Sequence, residues 1–172
     1  FDSPDNQMCT VSYEIALLAV GGILETTRLL MEGKLDNAFC AVRPPGHHAE
    51  VDKAMGFCYF NNVAIAARYL QKEWGIARVG IVDFDVHHGN GTQHIFERDP
   101  TVFYYSIHEH PTFAYPGTGR EFEFGSGSGY GFTKNNPVLP GQGDKEHQAL
   151  VEEHLIKDFD RFQPQFILVS TG

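Results

Sequence analysis

The sequence predicts an α/β domain in which a mainly parallel sheet lies between helical layers. Three observations predict it. Short apolar runs rich in β-branched residues, at 79–82, 102–107 and 166–169, read as buried strands. Amphipathic stretches of helical length separate them. Strands alternating with helices in this way form βαβ units, whose sheet is covered on both faces.

Taken in order, Ser12–Met31 reads as a long helix with Ile15, Leu18, Ala19, Gly22, Ile23, Leu29 and Leu30 as its apolar stripe. Gly33 is placed to stop it. Residues 38–42 read as a strand ended by Arg43-Pro44-Pro45-Gly46. Asn61 or Asn62 can cap a second helix running through Ala64, Ala66, Ala67 and Leu70 to Gly75. The Val79-Gly80-Ile81-Val82 strand follows, then a short helix over 92–97 and a strand over 102–107. Between Ile107 and Asp144 the chain is rich in Gly and Pro and reads as one long loop, a place where function concentrates. Gly125–Gly131 within it lacks GK[ST] and opens no helix, which argues against a phosphate loop. Residues 144–162 form a third long helix and 166–169 a last strand.

A chain of 172 residues with 42% hydrophobic content can bury one substantial core, so one domain or part of one is expected. A net charge of −9 argues against direct nucleic-acid binding and is compatible with cationic substrates. Cys9, Cys40 and Cys58 are odd in number and lack CxxC spacing, which disfavours a disulfide framework and a thiolate metal knot. No stretch has the ~20 apolar residues of a membrane helix, so no membrane association is expected and a reduced cytoplasm fits best.

The chemistry concentrates in two segments, Pro44-Pro45-Gly46-His47-His48 and Asp83-Phe84-Asp85-Val86-His87-His88-Gly89-Asn90-Gly91. At the carboxyl end of the Val79 strand, Asp83, Asp85 and His87 alternate and face one side. Asp85 and His87 supply one oxygen and one nitrogen ligand, a pair that suits a borderline divalent cation, zinc foremost. Both segments fall outside the carboxyl ends of strands, where α/β sheets bind ligands. An apolar strand ending in so many ionisable groups points to a use for them.

RPPGHHA at 43–49, GFCYFNN at 56–62, DFDVHHGNGTQ at 83–93 and PGTG at 116–119 resemble the zinc-dependent histone deacetylase family. That family includes acetylpolyamine amidohydrolases and acetoin-utilisation proteins, and the resemblance spans essentially the whole chain. Asn90 with Thr92-Gln93 is similar to its class II and bacterial branch. The resemblance implies the three-layer α/β/α arginase/deacetylase fold.

It also implies roles. Asp85 and His87 become zinc ligands, and His47 and His48 the tandem histidines beside the water that attacks. His48 is the expected general base and acid, oriented by Asn90, while Asp83 pairs with a cationic His47. Gly56 and Phe57 match one wall of a narrow acyl-lysine channel, Tyr115 the opposing wall, and Asp2 a rim aspartate that holds the substrate backbone. A structural potassium ion is implied at Ser106, Ile107 and the Asp83, Asp85 and His87 segment. His88 reads as a packed loop histidine, and His94, His108, His110, His147 and His154 as surface or loop residues.

The family's third zinc ligand, an Asp, follows the Ser-Thr-Gly matched here by Ser170-Thr171-Gly172, and its transition-state Tyr lies further on. The expectation is therefore a single partial catalytic domain over 1–172, incomplete at its C-terminus and inactive by itself. The expected activity of the parent is zinc-dependent removal of acyl groups from a lysine peptide or a small amine. An inactive fragment or a non-catalytic acyl-lysine binder is the alternative. A binuclear manganese ureohydrolase fits less well, since Gly89 stands where D-x-H-x-D needs its last carboxylate.

Overall fold

The computed structural model describes residues 6–172. Helix α1 (Ser12–Met31) and helix α2 (Asn62–Trp74) precede strand β1 (Val79–Asp83), helix α3 (Asn90–Phe96) and strand β2 (Val102–Glu109). Strand β3 (Thr133–Val138) follows, then helices α4 (Asp144–Leu150) and α5 (Ile156–Phe162), joined by a π turn over Val151–Leu155, and strand β4 (Phe166–Ser170). The order in the sheet is β3-β2-β1-β4, and every pairing is parallel.

Alternation along the strands builds two cores. On one face Val79, Ile81, Val102 and Tyr104 pack with Ala64, Ala67 and Leu70 of α2 and Phe96 of α3. On the other, Phe103, Tyr105 and Ile107 meet Phe162 and Val138. Burial on both faces is what a parallel sheet between helical layers requires. Gly80 lets α5 approach β1 closely, because a Cβ there would overlap the Phe159 ring.

Helix α2 is capped by Asn61, whose side chain accepts from the Ala64 amide, and ends where Gly75 turns left-handed. Helix α1 buries Ala16, Ala19, Val20 and Thr27, whereas Ile15 and Leu18 of the expected stripe are 45% and 73% exposed. Small side chains thus form its buried face. Residues 38–42 are not a strand. Among the described residues no neighbour offers them a ladder, and Phe39 is exposed. Ala38, Phe39, Cys40 and Val42 line one groove with residues 164–172, and its wall also includes His47 and Asp85.

The segment expected as one long loop contains β3. Its polar sequence Thr133-Lys134-Asn135-Asn136-Pro137-Val138 hides the strand. Asn136 is nevertheless buried and donates to the Ser106 carbonyl across the pair with β2. Pro137 is tolerated because β3 is an edge strand.

Candidate active site

The site lies beyond the carboxyl end of β1. Strand geometry stops at Asp83, and Asp85 and His87 stand on the following irregular turns instead of alternating along a strand. Each carboxylate holds the turn after it: Asp83 Oδ1 accepts from the Asp85 amide at 3.2 Å and Asp85 Oδ1 from the His87 amide at 2.7 Å. The Asp-x-Asp-x-His spacing therefore writes the curl that brings these side chains together.

His47 and His48 enter the same pocket from the loop before α2, their rings 4.0 Å apart. Both are buried. His48 lies flat on Gly56, where a Cβ would overlap its ring, so this position must be glycine. The two imidazoles have different partners. His47 Nδ1 donates to Asp83 Oδ2 at 2.9 Å, and that fully buried carboxylate also accepts from the Tyr104 hydroxyl at 3.2 Å. His48 Nδ1 faces Asn90 Oδ1 at 2.8 Å.

These partners drive the basicities apart. Burial lowers the affinity of His47 for a proton, but the charge and hydrogen bond of Asp83, with Asp85 beyond, outweigh it and raise its pKa. Burial and the neighbouring His47 push His48 down to about 4, against a weaker opposing effect of Asn90. The pocket thus sets an imidazole with raised proton affinity beside one that is neutral at neutral pH.

Asp85 Oδ1 lies 3.3 Å from His87 Nδ1 and 3.8 Å from His47 Nε2. Two donors bound to one tetrahedral ion at ~2.0–2.1 Å stand ~3.3 Å apart, so the Asp85–His87 pair has the chemistry and spacing of two zinc ligands. Among the described residues no group of three His, Cys, Asp or Glu side chains comes together to hold a metal.

Tyr115 stands edge-on to His48, with ring centres 5.0 Å apart, and 6.3 Å from His87. Phe57 has a positive φ of 64° and is 60% exposed. Its amide donates to Asn6 Oδ1. Phe57 is placed next to Gly56 at the pocket, and Tyr115 is placed against the histidines. Ser106 is fully buried and pairs in register with Asp83; its hydroxyl meets His108 Nδ1 at 2.7 Å, and Ile107 is buried beside it. Asp2 lies outside the described residues.

Two expectations about histidines divide. His88 is packed as expected, held by Thr118 and Gln93. His108 is not a surface residue: it lies fully buried on β2 and bonds Ser106 and the Gly119 carbonyl. Sequence reading also missed Glu50 and Tyr104. Tyr104 sits within an apolar strand and reads as core, although its hydroxyl reaches Asp83. The only signal for Glu50 was an acidic residue two places after the tandem histidines.

A parallel α/β sheet with this pocket at its carboxyl edge is the arginase/deacetylase arrangement. The chain belongs to the histone deacetylase family, whose domain model matches residues 1–172. A probable deacetylase of Archaeoglobus fulgidus is 43% identical over 160 residues, covering 93% of this chain and 44% of that protein. The crystal structure of the HDA15 HD domain superposes with a TM-score of 0.95 at 41% identity, covering all of this chain and 50% of that one. An acetylpolyamine aminohydrolase from Burkholderia pseudomallei gives 0.87 at 38% identity, covering 94% of this chain and 46% of the other. The chain spans about half the length of these relatives.

Proposed function

We propose that the whole protein is a zinc-dependent amidohydrolase that removes acetyl or other acyl groups from lysine side chains or related linear amines. The observation that carries this reading is the split pair of histidines, His47 on a carboxylate and His48 on an amide, beside Asp85 and His87. Asp85 and His87 would hold zinc together with a carboxylate from the rest of the protein. A Cβ placed on Gly172 would meet Asp85 Oδ2, so the segment after β4 lies beside the pair. When bound, the metal supplies a Lewis acid that polarises the acyl carbonyl and activates water.

The chain's own groups do the rest. With Nδ1 donating to Asn90, His48 presents a bare Nε2 that takes a proton during attack and returns it to the leaving amine. His47, held cationic by Asp83, stabilises negative charge as it develops on the carbonyl oxygen. Phe57 and Tyr115 offer aromatic faces to the aliphatic stem of the acylated amine. The Asp83, Ser106 and Ile107 junction, with the Asp85 and His87 backbone, would take potassium through hard oxygen donors. Absence of a membrane-length apolar helix among the described residues is compatible with action in the cytoplasm.

The test is hydrolysis of an acetyl-lysine peptide and an acetylated polyamine by the whole protein. Activity should be lost on chelation and restored by zinc, and His87→Ala should abolish stoichiometric zinc binding. A fully zinc-loaded protein that hydrolyses neither substrate overturns the reading, as do two tightly bound manganese ions per chain. Residues 1–172 expressed alone should bind zinc weakly and turn over neither substrate, because catalytic zinc sites use three protein ligands.

A further inference from the structure

Behind His48 the hydrogen bonds continue outward. Asn90 Nδ2 donates to Glu50 Oε1 at 2.7 Å, and His94 Nδ1 meets the same oxygen at 2.8 Å. Asn90 is 2% exposed, the Glu50 side chain 19% and the His94 side chain 42%. The chain His48–Asn90–Glu50–His94 thus runs from the pocket to solvent.

The order of donors along it is set by the acceptors that face the Asn90 nitrogen, of which the charged Glu50 is the nearest. An amide can present either its oxygen or its nitrogen to His48, and the two orientations have nearly the same shape. A carboxylate can only accept. Glu50 therefore turns the Asn90 nitrogen toward itself and the oxygen toward His48. The amide nitrogen has two longer contacts, the His48 carbonyl and Met55 Sδ, each at 3.3 Å. Facing an acceptor oxygen, His48 must carry its proton on Nδ1, and Nε2 is left with the lone pair.

We propose that Glu50 is a positioning residue: its carboxylate fixes the amide orientation of Asn90 and, through it, the Nδ1–H tautomer of His48. This rests on the reading of His48 as the proton-transfer group. Glu50 acts through Asn90 and need not touch the substrate. His94 clamps the carboxylate oxygen that Asn90 uses.

The test pairs Glu50→Gln with Asn90→Asp in the whole, zinc-loaded protein. Gln is isosteric with Glu but can donate as well as accept, so it tolerates both orientations of Asn90. A hydrogen bond to a charged group corresponds to a ~10- to 100-fold preference, whose loss leaves roughly half of the molecules in the productive tautomer, so kcat should fall about twofold with KM little changed. Nitrogen-15 NMR of His48 should show a single Nδ1–H tautomer in the native protein and a mixture in Glu50→Gln. The Asn90→Asp background should reverse the sign. An aspartate accepts from His48 in either orientation, and Glu50 then only opposes it with like charge, so Glu50→Gln should raise kcat there. An unchanged Nδ1–H tautomer in Glu50→Gln overturns the proposal, and so does an equal loss of kcat in both backgrounds. The NMR readout needs no substrate. A tautomer that Glu50→Gln scrambles, in a protein that hydrolyses no acylated amine, would uphold the role of Glu50 and fault the proposed function instead.

Discussion

The His47 imidazole and the Asp83 carboxylate form a buried pair at 2.9 Å, and Tyr104 gives the same carboxylate oxygen a second donor. Removing one member of such a pair leaves an uncompensated polar group in the core. Asp83→Asn should destabilise the whole protein by about 3–5 kcal/mol in denaturant unfolding. It should also lower kcat, because His47 loses the charge that raises its affinity for a proton. A stability change below ~1 kcal/mol, within the range of exposed ion pairs, would contradict the pairing.

His48→Ala should lower kcat by ~10²-fold or more while zinc content stays near one equivalent. His48 contacts Asn90 and Gly56 and is separate from the Asp85–His87 donor pair, so metal and proton transfer are separable by mutation. Steady-state kinetics beside metal analysis checks it. Near-normal turnover would move the proton-transfer role to His47.

Phe57 is well exposed, at a positive φ of 64°, on a turn next to the pocket. Phe57→Ala should raise KM several-fold and admit bulkier acyl groups, with a smaller effect on kcat. Comparing acetyl, butyryl and longer acyl-lysine substrates measures this. Unchanged selectivity would make Phe57 a turn residue without contact to the substrate.

The thiols should differ sharply in reactivity. Cys9 is exposed, and a hydrogen bond from Ser12 lowers its pKa; burial pushes Cys58 up to about 12. A disulfide reagent at mildly alkaline pH should label Cys9 in the folded protein and Cys58 only after denaturant. Peptide mapping by mass spectrometry distinguishes them. Early labelling of Cys58 would mean that the turn beneath His48 opens readily.

Much of this was legible in the chain because the relevant signals were local. The β1 strand announces itself by Val79, Ile81 and Val82, and the ionisable groups right after it could not be idle. The tandem histidines were legible for the same reason, set on a loop by Pro44-Pro45-Gly46. What failed depended on partners far along the chain. In strand β3 the side-chain nitrogens of Asn135 and Asn136 donate to Gln93 and to the Ser106 carbonyl, contacts that no propensity encodes. Residues 38–42 have the pattern of a strand, but pattern alone cannot supply a ladder. Helix α1 buries Ala16 and Ala19 and exposes Leu18, a choice of face that its own apolar pattern does not signal. Glu50 reaches Asn90 across 40 positions, a pairing that only the folded loop creates.

Strand β1 lies between β2 and β4, and Val79, Ile81 and Asp83 have no exposed surface. The anchor of the pocket is thus the last part of the sheet to fray. Amides of β1 should exchange with solvent only through global opening, whereas helix ends and the loop after β2 exchange early. Heat should then remove catalysis and tertiary structure together, without a warm inactive intermediate. An additive that merely tightens the periphery would leave the inactivation temperature where it was, and only contacts that reinforce the centre of the sheet would raise it.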